Sequence, residues 1–220
     1  SNAAGYSEQS VAELVVGQMI HLLRNVPAVE NRCRNGGTKD GLVGNELGSS
    51  VVGIVGVGAI GSRVATLCRA FGSTVIGYVP HPSERNRALL TYVSLEELLQ
   101  RADIVTLHCP LTPETRGMIG REQLALMKPS AYLINMARGP VVDAQAVADA
   151  LNQGKIAGAA IDVFEKEPPL NTDEPLLHAK NCLLTPHIAF ASHQSMERRA
   201  RIVFDSLQQW MNGHQVNKIL

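Results

Sequence analysis

The sequence predicts an α/β protein built on a doubly wound parallel sheet. Three observations predict it. Short apolar runs of strand length alternate with stretches of helical spacing. A glycine-rich hexapeptide, Gly56-Val57-Gly58-Ala59-Ile60-Gly61, lies between one such run and one such stretch. Charged or titratable residues directly follow several of the runs, at the strand ends where sheets of this kind hold ligands.

The elements follow in chain order. Ser7 to Asn25 carries Val11, Leu14, Val15, Met19 and Leu22 at helical spacing and reads as a helix with Ser7 as its N-cap. Residues 27–48 are rich in glycine, asparagine and charge and read as an irregular surface arm. Val51 to Val55 is a first strand. The helix after it is marked by Val64, Leu67, Cys68 and Phe71. Ser73 to Tyr78 is a second strand, and Ser94-Leu95-Glu96-Glu97 is a capping box opening a short helix. Asp103 to Leu107 and Ala131 to Asn135 are the third and fourth strands. Asp143 caps a helix that stops near Gly154. Ile156 to Val163 carries a fifth strand and Cys182 to Leu184 a sixth. An amphipathic helix from about Gln194 to Trp210 closes the pattern.

Composition narrows the function classes. The chain has 220 residues, 45% of them hydrophobic and 18% charged, as in ordinary globular proteins. Twenty basic and 20 acidic side chains cancel, which removes the electrostatic argument for nucleic acid or an anionic membrane. No apolar run reaches membrane-spanning length. Cys33, Cys68, Cys109 and Cys182 are widely spaced, with no C-x-x-C pair, and read as reduced thiols of a cytoplasmic protein rather than a disulfide frame or metal site. Ser1-Asn2-Ala3 reads as the scar of a cleaved tag.

Strand, G-x-G-x-x-G, helix is the context of a dinucleotide fingerprint. Gly56 permits the tight turn, Gly58 lets backbone approach a pyrophosphate, and Gly61 lets the helix pack close. The helix N-terminus offers free N–H groups to phosphate. Behind it, Arg138, Asp162, Glu167 and His187 follow the fourth, fifth and sixth strands. Together they suit hydride transfer at a carbinol carbon. His187 can accept the hydroxyl proton, and Glu167 can fix its tautomer and raise its basicity. Arg138 offers a planar fork to a substrate carboxylate. Asp162 can accept a hydrogen bond from a nicotinamide carboxamide. His108 also follows a strand and can line the cleft.

These residues lie in VGIVGVGAIG (52–61), LHCPLTPETRGMIG (107–120), LINMARGPVVD (133–143), AIDVFEKEPP (160–169) and LLTPHIA (183–189). By these motifs the chain resembles the nucleotide-binding half of the D-isomer-specific 2-hydroxyacid dehydrogenases. The resemblance runs from about Gly5 to the C-terminus. It implies a Rossmann-like domain over 27–190, a linking helix over 4–26 and a return helix over 191–220, leading to and from a substrate domain that is mostly absent from the sequence. Arg138 would bind the substrate carboxylate, Glu167 would pair with the imidazole, and His187 would be the acid and base. Cofactor contacts are implied at Gly56, Gly58, Ala59, Ile60, Gly61, Val79, Pro80, His81, His108, Cys109, Pro110, Thr115, Met136, Ala137, Arg138, Asp162, His187 and Ala189. The resemblance further implies NAD or NADP as cofactor, a small 2-hydroxy or 2-oxo acid as substrate and a homodimer. The arm at 27–48 would embrace the partner.

Two departures stand out. Fingerprints of this type place Asp or Glu about 20 residues past the loop to hold the ribose hydroxyls. This chain reads Gly77-Tyr78-Val79-Pro80, followed by His81, Ser83 and Arg85, which suits a 2′-phosphate and hence NADP. The substrate domain's N-terminal part, expected before Gly5, is missing, so this piece is expected to bind cofactor and turn over poorly. A second reading is a non-catalytic dinucleotide-sensing module akin to corepressors that resemble this family.

Overall fold

A computed structural model describes residues 3–217 and, for Arg85, the backbone alone. The tag-scar reading of Ser1 and Asn2 lies outside the described residues, as does the phosphate-donor reading of the Arg85 side chain. Seven parallel strands form one sheet in the order β3-β2-β1-β4-β5-β6-β7. They are β1 (Val51–Val55), β2 (Thr74–Tyr78), β3 (Thr91–Tyr92), β4 (Ile104–Leu107), β5 (Tyr132–Asn135), β6 (Gly158–Ile161) and β7 (Cys182–Leu184). The chain starts in the middle of the sheet and winds outward in both directions, so the strand order reverses between β1 and β4. Sheets of this kind bind ligands at such a switch point.

Helices cover both faces. They are α1 (Glu8–Leu23), α2 (Val26–Arg34), α3 (Ala59–Ala70), α4 (Leu95–Arg101), α5 (Arg121–Leu126), α6 (Ala144–Asn152) and α7 (His193–Met211). Successive strand residues point to opposite faces, and the two cores show it. Val52, Ile54, Ile104, Ile134 and Ala160 pack beneath α1 and α3, with Val15, Met19, Val64 and Cys68. Val55, Val105, Leu107, Leu133, Ala159 and Ile161 pack beneath α4, α5 and α6, with Leu98, Leu124 and Val147. Both faces of the central strands are buried, which explains why those strands read as unbroken apolar runs. Gly53 lets α4 come close: a Cβ there would stand 2.6 Å from a Leu98 methyl.

Local signals act as expected in part. Ser94 Oγ accepts from the Glu97 amide at 3.1 Å, and Asp143 Oδ1 accepts from the Ala146 amide at 3.0 Å. The reciprocal half of the Ser94 box is not made, because the Glu97 carboxylate pairs with Arg101 one turn on. Ser7 stands at the N-cap of α1 but makes no side-chain cap bond, with φ −113° and ψ 4°.

The arm at 27–48 is corrected. Its first third is helical, as α2, with a proline in its first turn and an Arg34–Glu30 ion pair at 2.6 Å. None of its residues is buried, so the apolar spacing that reveals a core-facing helix is lacking. The two-residue β3 and the six-residue α5 also form, and are additions to the elements expected from sequence. Among the described residues, no helix is long and apolar enough to cross a membrane.

Candidate active site

The register of the sheet assembles the site. Tyr78, Val55, Leu107, Asn135, Ile161 and Leu184 pair in one row across six strands. The residues that follow are Val79, Gly56, His108, Met136, Asp162 and Thr185, so the expected site residues emerge side by side at one edge. The ladder continues into them: the amides of Gly56, His108, Asp162 and Thr185 donate to Tyr78, Val55, Asn135 and Ile161 at 2.9, 2.7, 3.0 and 3.0 Å.

The glycine loop is tightly constrained. Gly56 has φ +93°, and a Cβ on it would lie 2.5 Å from the Cys109 amide. A Cβ on Gly61 would lie 2.2 Å from the Gly56 carbonyl, so α3 packs directly on the turn. Gly58, at the N-cap of α3, differs: a Cβ there would meet nothing within 4 Å. The loop therefore has free space only above Gly58 and the start of the helix, which is where a pyrophosphate would rest on the helix dipole.

Beside it opens a cleft of about 570 Å³, into which Gly58, Ala59, Ile60, His108, Met136, Arg138, His187 and Ala189 all face. The other expected contacts flank it. Gly56, Gly61, Cys109 and Ala137 do not line it; Gly56 packs against Cys109 and Gly61 against Gly56 in the turn beneath. Cys109 is buried, and burial pushes its thiol pKa up. Val79 is half-buried against the Val57 and Leu90 cluster, with Pro80 and His81 exposed beyond it. The Thr115 hydroxyl donates to the Pro110 carbonyl at 2.7 Å and accepts from the Thr112 amide at 2.8 Å, so it shapes the loop after β4.

His187 and Glu167 meet as the sequence suggests, with Nδ1 2.8 Å from Oε2. A carboxylate only accepts, so the proton sits on Nδ1, and Nε2 is left as the basic atom. Side-chain exposures of 35% for His187 and 45% for Glu167 leave the pair reachable from solvent. The Phe190 ring meets the imidazole edge-on, with centroids 5.4 Å apart.

Asp162 holds the His187 loop in place. It is fully buried, and its carboxylate accepts from the Thr185 hydroxyl and from the Ile188 and Ala189 amides, the last two at 2.9 and 2.8 Å. These bonds clamp a loop whose central residue, His187, is left-handed at φ +57°. Three of the four lone pairs of the carboxylate are thus taken, and Asp162, with no exposed surface, lies behind the loop rather than on the cleft wall where the carboxamide contact expected of it would be made.

Two residues matter in ways the sequence reading did not state. A Cβ on Gly139 would lie 2.0 Å from the Phe164 carbonyl carbon. The turn carrying Arg138 therefore touches, backbone to backbone, the loop that leads to Glu167. A glycine directly after the arginine was the available signal. Arg138 is exposed, and one of its terminal nitrogens donates to the Ala137 carbonyl at 2.6 Å, leaving the rest of the fork unengaged among the described residues. His108 bonds the buried Thr106 hydroxyl through Nε2 at 2.9 Å, and desolvation lowers its pKa to about 4. It lines the cleft as a neutral imidazole at physiological pH.

The sequence matches the family model for the "D-isomer specific 2-hydroxyacid dehydrogenase, NAD binding domain" over residues 16–189. It is 39% identical over 223 residues to D-3-phosphoglycerate dehydrogenase of Methanocaldococcus jannaschii, covering 100% of this chain and 42% of that protein. Among solved structures it is similar to a D-isomer specific 2-hydroxyacid dehydrogenase from Lactobacillus delbrueckii ssp. bulgaricus in its NAD complex. That likeness has TM-score 0.89 and 35% identity, over 100% of this chain and 71% of the other. It is also similar to an acyclic imino acid reductase in complex with NADPH and D-Arg, with TM-score 0.91 and 30% identity, over 100% and 70%. The chain spans about half the length of the curated relatives it matches first.

Two outcomes follow from this geometry. Gly139→Ala should lower stability by about 3 kcal/mol in urea denaturation, at the upper end of overpacking changes, because backbone rather than a flexible side chain is in the way. Stability should also fall as pH drops from the ordinary histidine value of 6.5 toward about 4, because in that window the unfolded chain takes up a proton on His108 that the folded chain refuses. Urea midpoints across that range should show the slope, and His108→Gln should flatten it. Taken together, the sheet order, the glycine loop and the family match establish that this chain belongs to the D-isomer specific 2-hydroxyacid dehydrogenase family and comprises its NAD-binding domain.

Proposed function

We propose that the chain is the cofactor-binding part of an oxidoreductase that moves a hydride between NAD or NADP and a D-2-hydroxy acid or its 2-oxo form. The observation that carries this reading is the His187–Glu167 pair, 2.8 Å apart, on the same cleft edge as Arg138 and the open space above Gly58. A bound nicotinamide supplies or accepts the hydride. The protein's own groups do the rest. The first turn of α3 binds pyrophosphate through its free amides. Arg138 holds the substrate carboxylate through its fork. His187 takes the hydroxyl proton at Nε2 when the acid is oxidised and returns it when the 2-oxo form is reduced, and Glu167 stabilises the charged imidazole. Asp162 keeps the His187 loop in position. The dehydrogenase name of the 39% identical relative supports the reaction class.

NADP is accepted beside NAD in this reading. Val79 presents no acceptor to the ribose and no charge against a 2′-phosphate, and a similar structure holds NADPH. A homodimer built through α2 is part of the proposal, since that helix projects without burying a residue. The four free thiols support a reducing compartment, the cytoplasm.

Fluorescence titration with NADH and NADPH tests the cofactor site. Both should bind, with affinities within about tenfold of each other. Gly58→Val should fold normally, because a Cβ there meets open space, yet lose at least about tenfold in affinity. Equal binding by that variant would refute the site. His187→Asn, which suits the left-handed backbone, should slow whatever NADH oxidation by a 2-oxo acid the chain supports by about 10²- to 10⁴-fold, with a much smaller effect on NADH binding. Gel filtration at low micromolar concentration should show a dimer, and a clean monomer counts against it.

A further inference from the structure

His108 stands on the cleft wall with one ring nitrogen already engaged. Its Nε2 lies 2.9 Å from the hydroxyl of Thr106, two residues back on β4. Thr106 has no exposed surface and pairs in register with Ile54 and Ile134, which have none either. Its hydroxyl makes no other hydrogen bond among the described residues. A neutral imidazole carries one N–H, so two arrangements are open. With the proton on Nε2, the ring donates to Oγ1, and the Thr106 hydrogen is left buried between apolar side chains without an acceptor. With the proton on Nδ1, the hydroxyl donates to Nε2 and both groups are satisfied. A buried donor without a partner costs more than a hydrogen bond returns, so the second arrangement wins. Desolvation keeps the ring neutral at physiological pH, where this choice applies. The ring then has a single N–H, at Nδ1, and that atom has no partner among the described residues.

We propose that Thr106 is a positioning residue that holds His108 as its Nδ1–H tautomer, so that His108 donates a hydrogen bond to a hydroxyl of the ribose bearing the nicotinamide. The proposal rests on the cofactor-site reading and adds to it the atom that makes the contact and the group that fixes it. The order of residues along the sheet edge selects the ribose. His108 stands between Gly56, in the phosphate loop, and Met136, which leads to Arg138. The reacting end of the cleft is marked by His187 and by an aromatic wall, where Phe190 meets Tyr6 at 6.4 Å. A dinucleotide with its pyrophosphate over Gly58 and its reacting ring by His187 brings the sugar between them to His108. A sugar hydroxyl accepts as well as donates, so it suits a fixed neutral N–H. The other tautomer would present a bare nitrogen there and leave Thr106 unsatisfied.

Two measurements test it. Nitrogen-15 NMR of the ligand-free chain at pH 7 should show His108 protonated at Nδ1 and bare at Nε2. This needs no variant, and an Nε2–H ring overturns the proposal. The second measurement is nucleotide binding, with NADH read by its fluorescence and ADP-ribose and ADP by displacement of NADH. NADH and ADP-ribose carry the ribose in question, and ADP does not. Thr106→Val should move His108 toward the Nε2–H tautomer that free histidine prefers in water. It should weaken NADH and ADP-ribose each about three- to tenfold and leave ADP unchanged. Thr106→Ser, which restores the hydroxyl, should return both the tautomer and the affinities. Undiminished NADH binding by Thr106→Val, or an equal loss for ADP, overturns the proposal. A chain that binds none of the three nucleotides overturns the cofactor-site reading instead.

Discussion

The parallel ladder is the constraint on which the rest depends. Inter-strand hydrogen bonds fix which residue of each strand lies beside which. Here they bring six strands to a common end row, from Tyr78 through Val55, Leu107, Asn135 and Ile161 to Leu184. Chemistry-bearing residues more than a hundred positions apart in sequence thus become neighbours at one edge. A one-residue slip of β7 would exchange the faces of its side chains and displace His187 along the strand direction. Half-burial on both faces resists that slip even at this edge strand, because Cys182 and Leu184 pack on one apolar core and Leu183 on the other.

The ladder ends where the chemistry starts, and different forces hold the loops beyond it. Near Arg138 and Glu167 the constraint is steric, as backbone packs on backbone at Gly139. Near His187 it is electrostatic, through a buried carboxylate that spends most of its lone pairs on one loop. A buried charge needs such partners to offset its desolvation. The same bonds also lower the number of conformations open to the imidazole before any ligand arrives, which is the form of preorganisation that proton transfer rewards.

The strands and helices with a long apolar face were legible in the sequence; α2, which has none, and the short α5, whose one buried residue is Leu124, were not. β1 is found as read, at Val51–Val55, because Val52, Ile54 and Val55 are each nearly or fully buried. α2 escaped notice because it has no core side, and its glycine- and charge-rich surroundings read as coil. The site divides in a similar way. Arg138, Glu167 and His187 could be named from short motifs placed after strands. The closeness of Gly139 to Phe164 exists only in three dimensions. So does the wall of Tyr6 and Phe190, since Tyr6 reaches the cleft only because α7 returns to it: Arg198 Nε donates to the Tyr6 carbonyl at 3.0 Å across 192 positions.

Gly139 carries a consequence for how such a site can change over time. With no side chain between the Arg138 turn and the loop leading to Glu167, there is no packing layer to absorb a shift in either. The carboxylate-binding arm and the proton-relay arm are therefore geared together. A substitution that moves one to suit a new acid also moves the other, so such adaptation must proceed through side chains elsewhere on the cleft wall.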